Sequence, residues 1–128
     1  MGDDDVFDHI SLGVRDIERS RGFYDAALAP FGVTLKYQRE DMLGYGSDEI
    51  RLWISPSKRP VPADMESGLH FCFAAPTREA VQAFHAAAIK AGGTDNGAPG
   101  PRKEYGDNYY AAFVIDPDGF RLEAYCGS

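Results

Sequence analysis

HISLGVRDIERSRGFYDAALAPFG (residues 9–32) and HFCFAAPTREAVQAFHAAAIKAGG (residues 70–93) align without a gap when the chain is shifted against itself by 61 positions. The shift pairs His9 with His70, Glu18 with Glu79, Phe23 with Phe84, Ala26 with Ala87, Ala27 with Ala88 and Gly32 with Gly93. Identity is low, but the matches are regularly placed, and a fixed-period repeat bears on fold more than any local signal. Each copy opens on a strand pattern. Ile10, Leu12 and Val14 alternate with His9, Ser11 and Gly13, and Leu69, Phe71 and Phe73 alternate with His70, Cys72 and Ala74. Side chains alternate along a strand, so each apolar set can cover a helix while each histidine points the other way. Asp16 and Thr77 then stand at N-cap positions, with Glu18 and Glu79 in the first helical turn, where a carboxylate complements the helix dipole. Ile17, Phe23, Tyr24, Ala27 and Leu28 in the first copy, and Val81, Phe84, His85, Ala88 and Ile89 in the second, recur at helical spacing. Pro30 with Gly32, and Gly92 with Gly93, are the stop signals.

Outward from the repeat, Val33–Arg39, Leu43–Gly46 and Glu49–Ile54 read as short strands, and Tyr109–Ile115 and Phe120–Tyr125 as a hairpin around the turn DPDG (116–119). The Gly- and Pro-rich stretch 92–108 reads as a loop with at most one irregular strand, and its part 93–105 as either a lid over the site or a plain connection. Residues 55–67 read as a linker. The expectation is one domain over residues 1–128, with module one about 6–54 and module two about 68–126. Its class is α+β: two paired βαβββ modules forming an open cup-shaped β-sheet with helices on the outer face. One module alone cannot bury both faces of a helix-backed sheet, which is the physical reason for a second.

Twenty acidic against 13 basic residues, with a net charge of -7 and no basic cluster, exclude the electrostatic footprint of a nucleic-acid or anionic-membrane binder. The start MGDDDVFDHI lacks the positive patch and apolar run of a secretory signal, and no stretch reaches transmembrane length, so a soluble cytoplasmic protein is expected. Asp3 to Asp5 read as a solvated, frayed terminus. Cys72 and Cys126 have no metal-binding spacing and read as free thiols.

On the face opposite the helices, alternation gathers His9, His70 and Glu123 with Arg51, Trp53 and Arg121. Any single histidine is most simply a hydrogen-bonded side chain. Two at the same register of two copies, facing the same cup as a glutamate, point instead to a two-histidine, one-carboxylate metal centre with open positions for water or a bidentate substrate. That donor set suits divalent Fe or Mn and also admits Zn or Ni. His85 lies on the apolar helical stripe and reads as packing. Cys72 reads as small filler before it reads as a soft ligand. Trp53 can stack on a flat substrate or fill space, and Arg51 and Arg121 can hold a substrate carboxylate or phosphate or pair with an acid.

DHISLGVRDIERSRGFYDAALAPFG, the strand GLHFCF, and NYYAAFVIDPDGFRLEAY, ending in DPDG-x-x-x-E with Glu123 at its close, together resemble the vicinal oxygen chelate superfamily. That superfamily contains glyoxalase I, extradiol dioxygenases, and fosfomycin- and bleomycin-resistance proteins. The segments LAPFG and DNGAPGPR are similar to those of a bacterial glyoxalase-like subgroup. The resemblance covers nearly the whole chain. It implies a divalent metal held by His9, His70 and Glu123, with Glu123 also the catalytic carboxylate, acting on a small oxygen-rich or aromatic metabolite chelated through vicinal oxygens. Arg51, Trp53, Tyr110 and Arg121 are the expected substrate contacts, Tyr105, Tyr109 and Tyr110 the candidates around the ligands, and a homodimer the expected assembly. Glyoxalase I has a second glutamate on the fourth strand. Here Trp53 stands opposite Glu123 in the repeat, and an indole cannot shuttle a proton, so methylglyoxal chemistry is disfavoured. A three-ligand site resembles the extradiol dioxygenases, although the histidine that stands beside the metal ligands in those enzymes has no counterpart. The alternative is a non-catalytic, drug-sequestering protein of the bleomycin-resistance type, whose members typically lack the ligand residues.

Overall fold

A computed structural model of the chain describes residues 6–61 and 66–128. The Asp3–Asp5 run and residues 62–65 of the expected linker lie outside the described residues. The order is β1 (Ile10–Val14), α1 (Ile17–Leu28), a 3-10 turn (Ala29–Phe31), β2 (Thr34–Arg39), β3 (Met42–Gly46), β4 (Ile50–Pro56), β5 (Phe71–Ala74), α2 (Arg78–Lys90), β6 (Thr94–Pro101), β7 (Tyr110–Ile115) and β8 (Arg121–Cys126). Both halves have the same topology, β1-β4-β3-β2 and β5-β8-β7-β6, with β1‖β4 and β5‖β8 parallel and the other pairs antiparallel. The duplication read from the sequence is thus a duplication of structure, and the fold is α+β with paired βαβββ modules.

Both helices begin where their caps dictate. Asp16 accepts from the Arg19 main-chain N–H at 3.2 Å, and Thr77 Oγ1 from that of Ala80 at 3.0 Å. The inner faces meet the helices: Leu12, Val14, Leu52 and Ile54 from one sheet and Val114, Leu122 and Ala124 from the other are buried with Phe23, Tyr24, Val81 and Phe84. Ile89, expected on the buried stripe, is turned out and 37% exposed.

Two boundaries differ from the sequence reading. β4 runs two residues into the expected linker because Ser55 and Pro56 continue the ladder with Gly13 and Val14. The segment read as a loop with at most one irregular strand is, over Thr94–Pro101, that strand, β6. It is an edge strand, where prolines need not donate to a second neighbour, and register shifts at Asp95/Gly97 and Gly97/Gly100 absorb its irregular backbone as bulges.

The modules join through their helices and one loop. Phe31 stacks on Phe84 and Phe73 at ring separations of 5.4 and 6.1 Å. The DPDG turn reaches across from β7–β8 to the start of α1. The fully buried Asp118 carboxylate accepts from the main-chain N–H of Arg15 (2.9 Å), from Arg19 Nη2 (3.2 Å) and from Ser20 Oγ (3.3 Å). Beside it, Tyr24 Oη donates to Asp116 at 2.5 Å. No strand pairing joins the two sheets among the described residues.

Asp118→Ala leaves three donors without their acceptor at a buried junction. It should lower stability by about 3 kcal/mol, read as a fall in the urea midpoint with an unchanged slope; a loss below about 0.5 kcal/mol would show that the loop does not tie the modules together.

Candidate functional site

The second module carries a buried carboxylate on an open face. Glu123 lies in mid-β8, is 3% exposed, and is flanked in register by Cys72 on β5 and Phe113 on β7. Burying a carboxylate is costly unless its oxygens are engaged. Oε1 stands 3.2 Å from His70 Nε2, and Oε2 accepts a short hydrogen bond from Tyr109 Oη. Burial and the Glu123 charge push the Tyr109 hydroxyl well above its ordinary value, which keeps it a proton donor to the carboxylate. These groups line a cavity of about 610 Å³ that also takes in Tyr105, Arg102 and Arg121, the last donating from Nε to the Leu69 carbonyl at 3.2 Å.

In the first module His9 precedes β1 as His70 precedes β5. Its Nδ1 is 2.7 Å from Asp8 Oδ1, and Asp8 in turn receives Arg51, whose Nη1 donates to the Asp8 carbonyl at 3.0 Å. The hydrogen bond with His9, reinforced by the charges of His9 and Arg51, holds the Asp8 carboxyl below its ordinary value. Trp53 faces outward from β4 and meets Tyr37 edge-on at 5.4 Å. It lies over Gly44, its cross-strand partner; a Cβ there would come within 2.8 Å of the indole, so the glycine makes room for the ring.

The chain therefore brings His70, Glu123 and Arg121 into one cavity. His9 and Arg51 line a second cavity between the modules, and Trp53 a third on the outer face of the first sheet. Among the described residues no cluster of three or more His, Cys, Asp or Glu side chains is arranged to hold a metal ion. Tyr110, expected to touch substrate, lies on the helix side: its hydroxyl accepts from Gln82 Nε2 at 2.9 Å and Arg78 covers its ring at 4.9 Å. Of these two neighbours it is Tyr109 that lines the cavity. Register could have told them apart, because Phe113 pairs with Glu123, so the odd-numbered residues of β7 share the glutamate's face. His85 bonds to Asp95 on β6 at 2.8 Å and lines none of the three cavities.

Residues 6–124 match the Glyoxalase/Bleomycin resistance protein/Dioxygenase superfamily, and the chain belongs to that family. Among solved structures it is similar to a glyoxalase/bleomycin resistance protein from Albidiferax ferrireducens T118, with 35% identity, 94% of this chain and 98% of that one covered, and a TM-score of 0.80. The fold is shared with the fosfomycin resistance protein FosX of Listeria monocytogenes (17% identity, 94% and 91% covered, TM-score 0.70). It is shared also with a putative glyoxalase from Bacillus halodurans (21% identity, 96% of each chain, TM-score 0.73). None of the curated proteins matches. No helix of the described residues is long and apolar enough to cross a membrane.

Cys72 reports on this site. The residue is exposed to solvent, yet its sulfur is partly desolvated against the sheet; that desolvation first, then the Glu123 charge and hydrogen bond, push its thiol up to about 12. Since the thiolate is the nucleophile, Cys72 should resist iodoacetamide at pH 8 in a Cys126→Ser background, and Glu123→Gln should speed its alkylation. Alkylation of the unsubstituted site at the rate of free cysteine would contradict the described surroundings of Glu123.

Proposed function

We propose that this chain is a metal-dependent enzyme of the glyoxalase/dioxygenase type whose metal centre forms between two copies, His70 and Glu123 coming from one and His9 from the other. The observation that carries the reading is the way two half-sites are prepared. Two ligand atoms about 2.1 Å from one ion stand about 3 Å apart, and His70 Nε2 and Glu123 Oε1 are 3.2 Å apart. Tyr109 occupies the other carboxylate oxygen, leaving one for an ion. Asp8 at His9 Nδ1 orients the ring and leaves Nε2 as the donor atom, the usual arrangement behind a histidine ligand. Both histidines keep nearly half of their side-chain surface exposed, as groups awaiting a partner do.

The superfamily's members typically use divalent metals. Fe, Mn, Zn or Ni would fit these donors, and the bound ion would supply Lewis acidity that holds vicinal oxygens and offsets charge developing on them. The residues do the rest. Tyr109 fixes the carboxylate, Trp53 with Tyr37 offers a flat apolar wall from the first module, and Arg51 holds the His9–Asp8 pair. Glu123 is the only carboxylate of the set, because Trp53 takes the equivalent place in the first module, and the proton shuttling of glyoxalase I is disfavoured on that ground. The substrate is a small oxygen-rich or aromatic metabolite. One observation favours the rival reading, sequestration of a small drug-like molecule without catalysis: among the described residues a single chain brings only two of the three expected donors together.

Light scattering should give a species of twice 14.0 kDa, and elemental analysis should give near-stoichiometric metal that His9→Ala, His70→Ala and Glu123→Gln each lose. Co-expressed His9→Ala and Glu123→Gln chains should recover one metal per mixed dimer, because one of its two centres is then intact. No metal in any form would sink the enzyme reading in favour of sequestration, and metal in the wild type with none in the mixed dimer would place the centre within one chain.

A further inference from the structure

Arg102 closes the segment DNGAPGPR (95–102), which the metal centre leaves without a role. Its guanidinium lines the same 610 Å³ cavity as His70 and Glu123 and is half-buried. Its donors go to main-chain carbonyls: Nη2 to Ala98 at 2.7 Å, and Nη1 to Gly100 at 2.9 Å and Pro101 at 3.4 Å. The guanidinium carbon sits 5.3 Å from the centre of the Phe113 ring. No carboxylate of the described residues pairs with it.

The edge strand is shaped to hold that cation. Gly97 has φ 153°, and a Cβ there would approach the Phe113 ring to 2.9 Å and Arg102 Nη2 to 3.3 Å; at Gly100 it would approach Nη1 to 3.4 Å. The glycines and bulges of β6 thus clear the strip on which the guanidinium lies. A flexible arginine left to itself keeps its head in water. One fixed over an aromatic ring, with its dipolar partners all neutral, is an unspent positive charge inside a ligand-sized cavity.

We propose that Arg102 is the anion receptor of this site, and that the substrate is a small planar organic anion. Its metal-chelating oxygens would lie at one end and a carboxylate or phosphonate at the other. The chelating end rests on the metal-centre reading; the anionic end does not. Glu123 pairs across the sheet with Phe113, and Phe113 with Gly97. At about 4.8 Å between neighbouring strands, the two ends of the site lie about 10 Å apart. That span fits one six-membered ring carrying oxygen groups at both ends, with Tyr109 and Phe113 flanking the ring. Arg121 adds a second positive charge to the same wall.

The test is calorimetric titration of the metal-free, full-length protein with benzoate, with phenylphosphonate and with neutral benzamide, in the wild type, Arg102→Gln and Arg102→Lys. At least one anion should bind the wild type about tenfold more tightly than benzamide; Arg102→Gln should lose that preference and Arg102→Lys keep part of it. Whichever of benzoate and phenylphosphonate binds tighter identifies the group. The Arg102 Nε–H resonance of the wild type should shift as the anion is added. Equal binding of benzamide and both anions, an undiminished preference in Arg102→Gln, or a stationary Arg102 resonance would each overturn the proposal. The wild-type comparison and the resonance decide it even if a variant misfolds. Because the titration contains no metal, failure of the metal centre and failure of the anion receptor are separate results.

Discussion

Asp118 is where the two halves of the molecule become one. Its carboxylate has no exposed surface, yet it receives a main-chain N–H, a guanidinium and a hydroxyl from the other module. A buried carboxylate is tolerated only when so engaged, and these donors lie on and just before the first turn of α1, whose dipole adds to the attraction. With Phe31 wedged against Phe73 and Phe84, the loop docks the modules through their helices. The outer face of the second sheet, where His70 and Glu123 lie, is thereby left for something else to cover, while His9 lines the cavity between the modules. The division of His9 from His70 and Glu123 between cavities is a consequence of this docking.

The same physics governs the carboxylate of the site. Glu123 is almost as deeply buried as Asp118, but its partners are fewer and different in kind: one neutral hydroxyl donor and one histidine that is half exposed. Asp118 is saturated by its neighbours and holds the fold together. Glu123 is pinned through one oxygen and keeps the other beside His70 and an open cavity, which is what the proposed metal centre asks of it.

What could be read from the sequence was whatever repeats locally. Helix caps at Asp16 and Thr77, the inward faces of the strands, the DPDG hairpin and the outward direction of His9, His70, Arg121 and Glu123 all follow from periods of two or 3.6 residues. Three things did not. Tyr109 and Tyr110 are adjacent and alike, and only the pairing of β7 with β8 decides which one faces the carboxylate. The extent of β6 is concealed by its glycines and prolines, which signal a loop with at most one irregular strand until its place at the sheet edge is known. Docking of the modules depends on contacts between residues about 100 positions apart, such as Ser20 with Asp118, and no local pattern encodes them. The separation of His9 from His70 followed from that docking and was equally hidden.

The repeat also shows where the two copies have parted. Trp53 stands where Glu123 stands, Ser11 where Cys72 stands, while Arg51 and Arg121 are retained. One outer face has become aromatic, with Tyr37 against Trp53 over a glycine, and the other polar and cationic, with His70, Glu123 and Arg102 around one cavity. Two identical apolar faces would gain simply by covering each other. Faces of unlike chemistry gain specificity from meeting head to tail, since a flat wall complements a cavity that already holds the polar groups. In a symmetric pair of chains each first module would meet the partner's second, so the divergence between the halves is what would let a two-fold dimer build two complete sites from four incomplete ones.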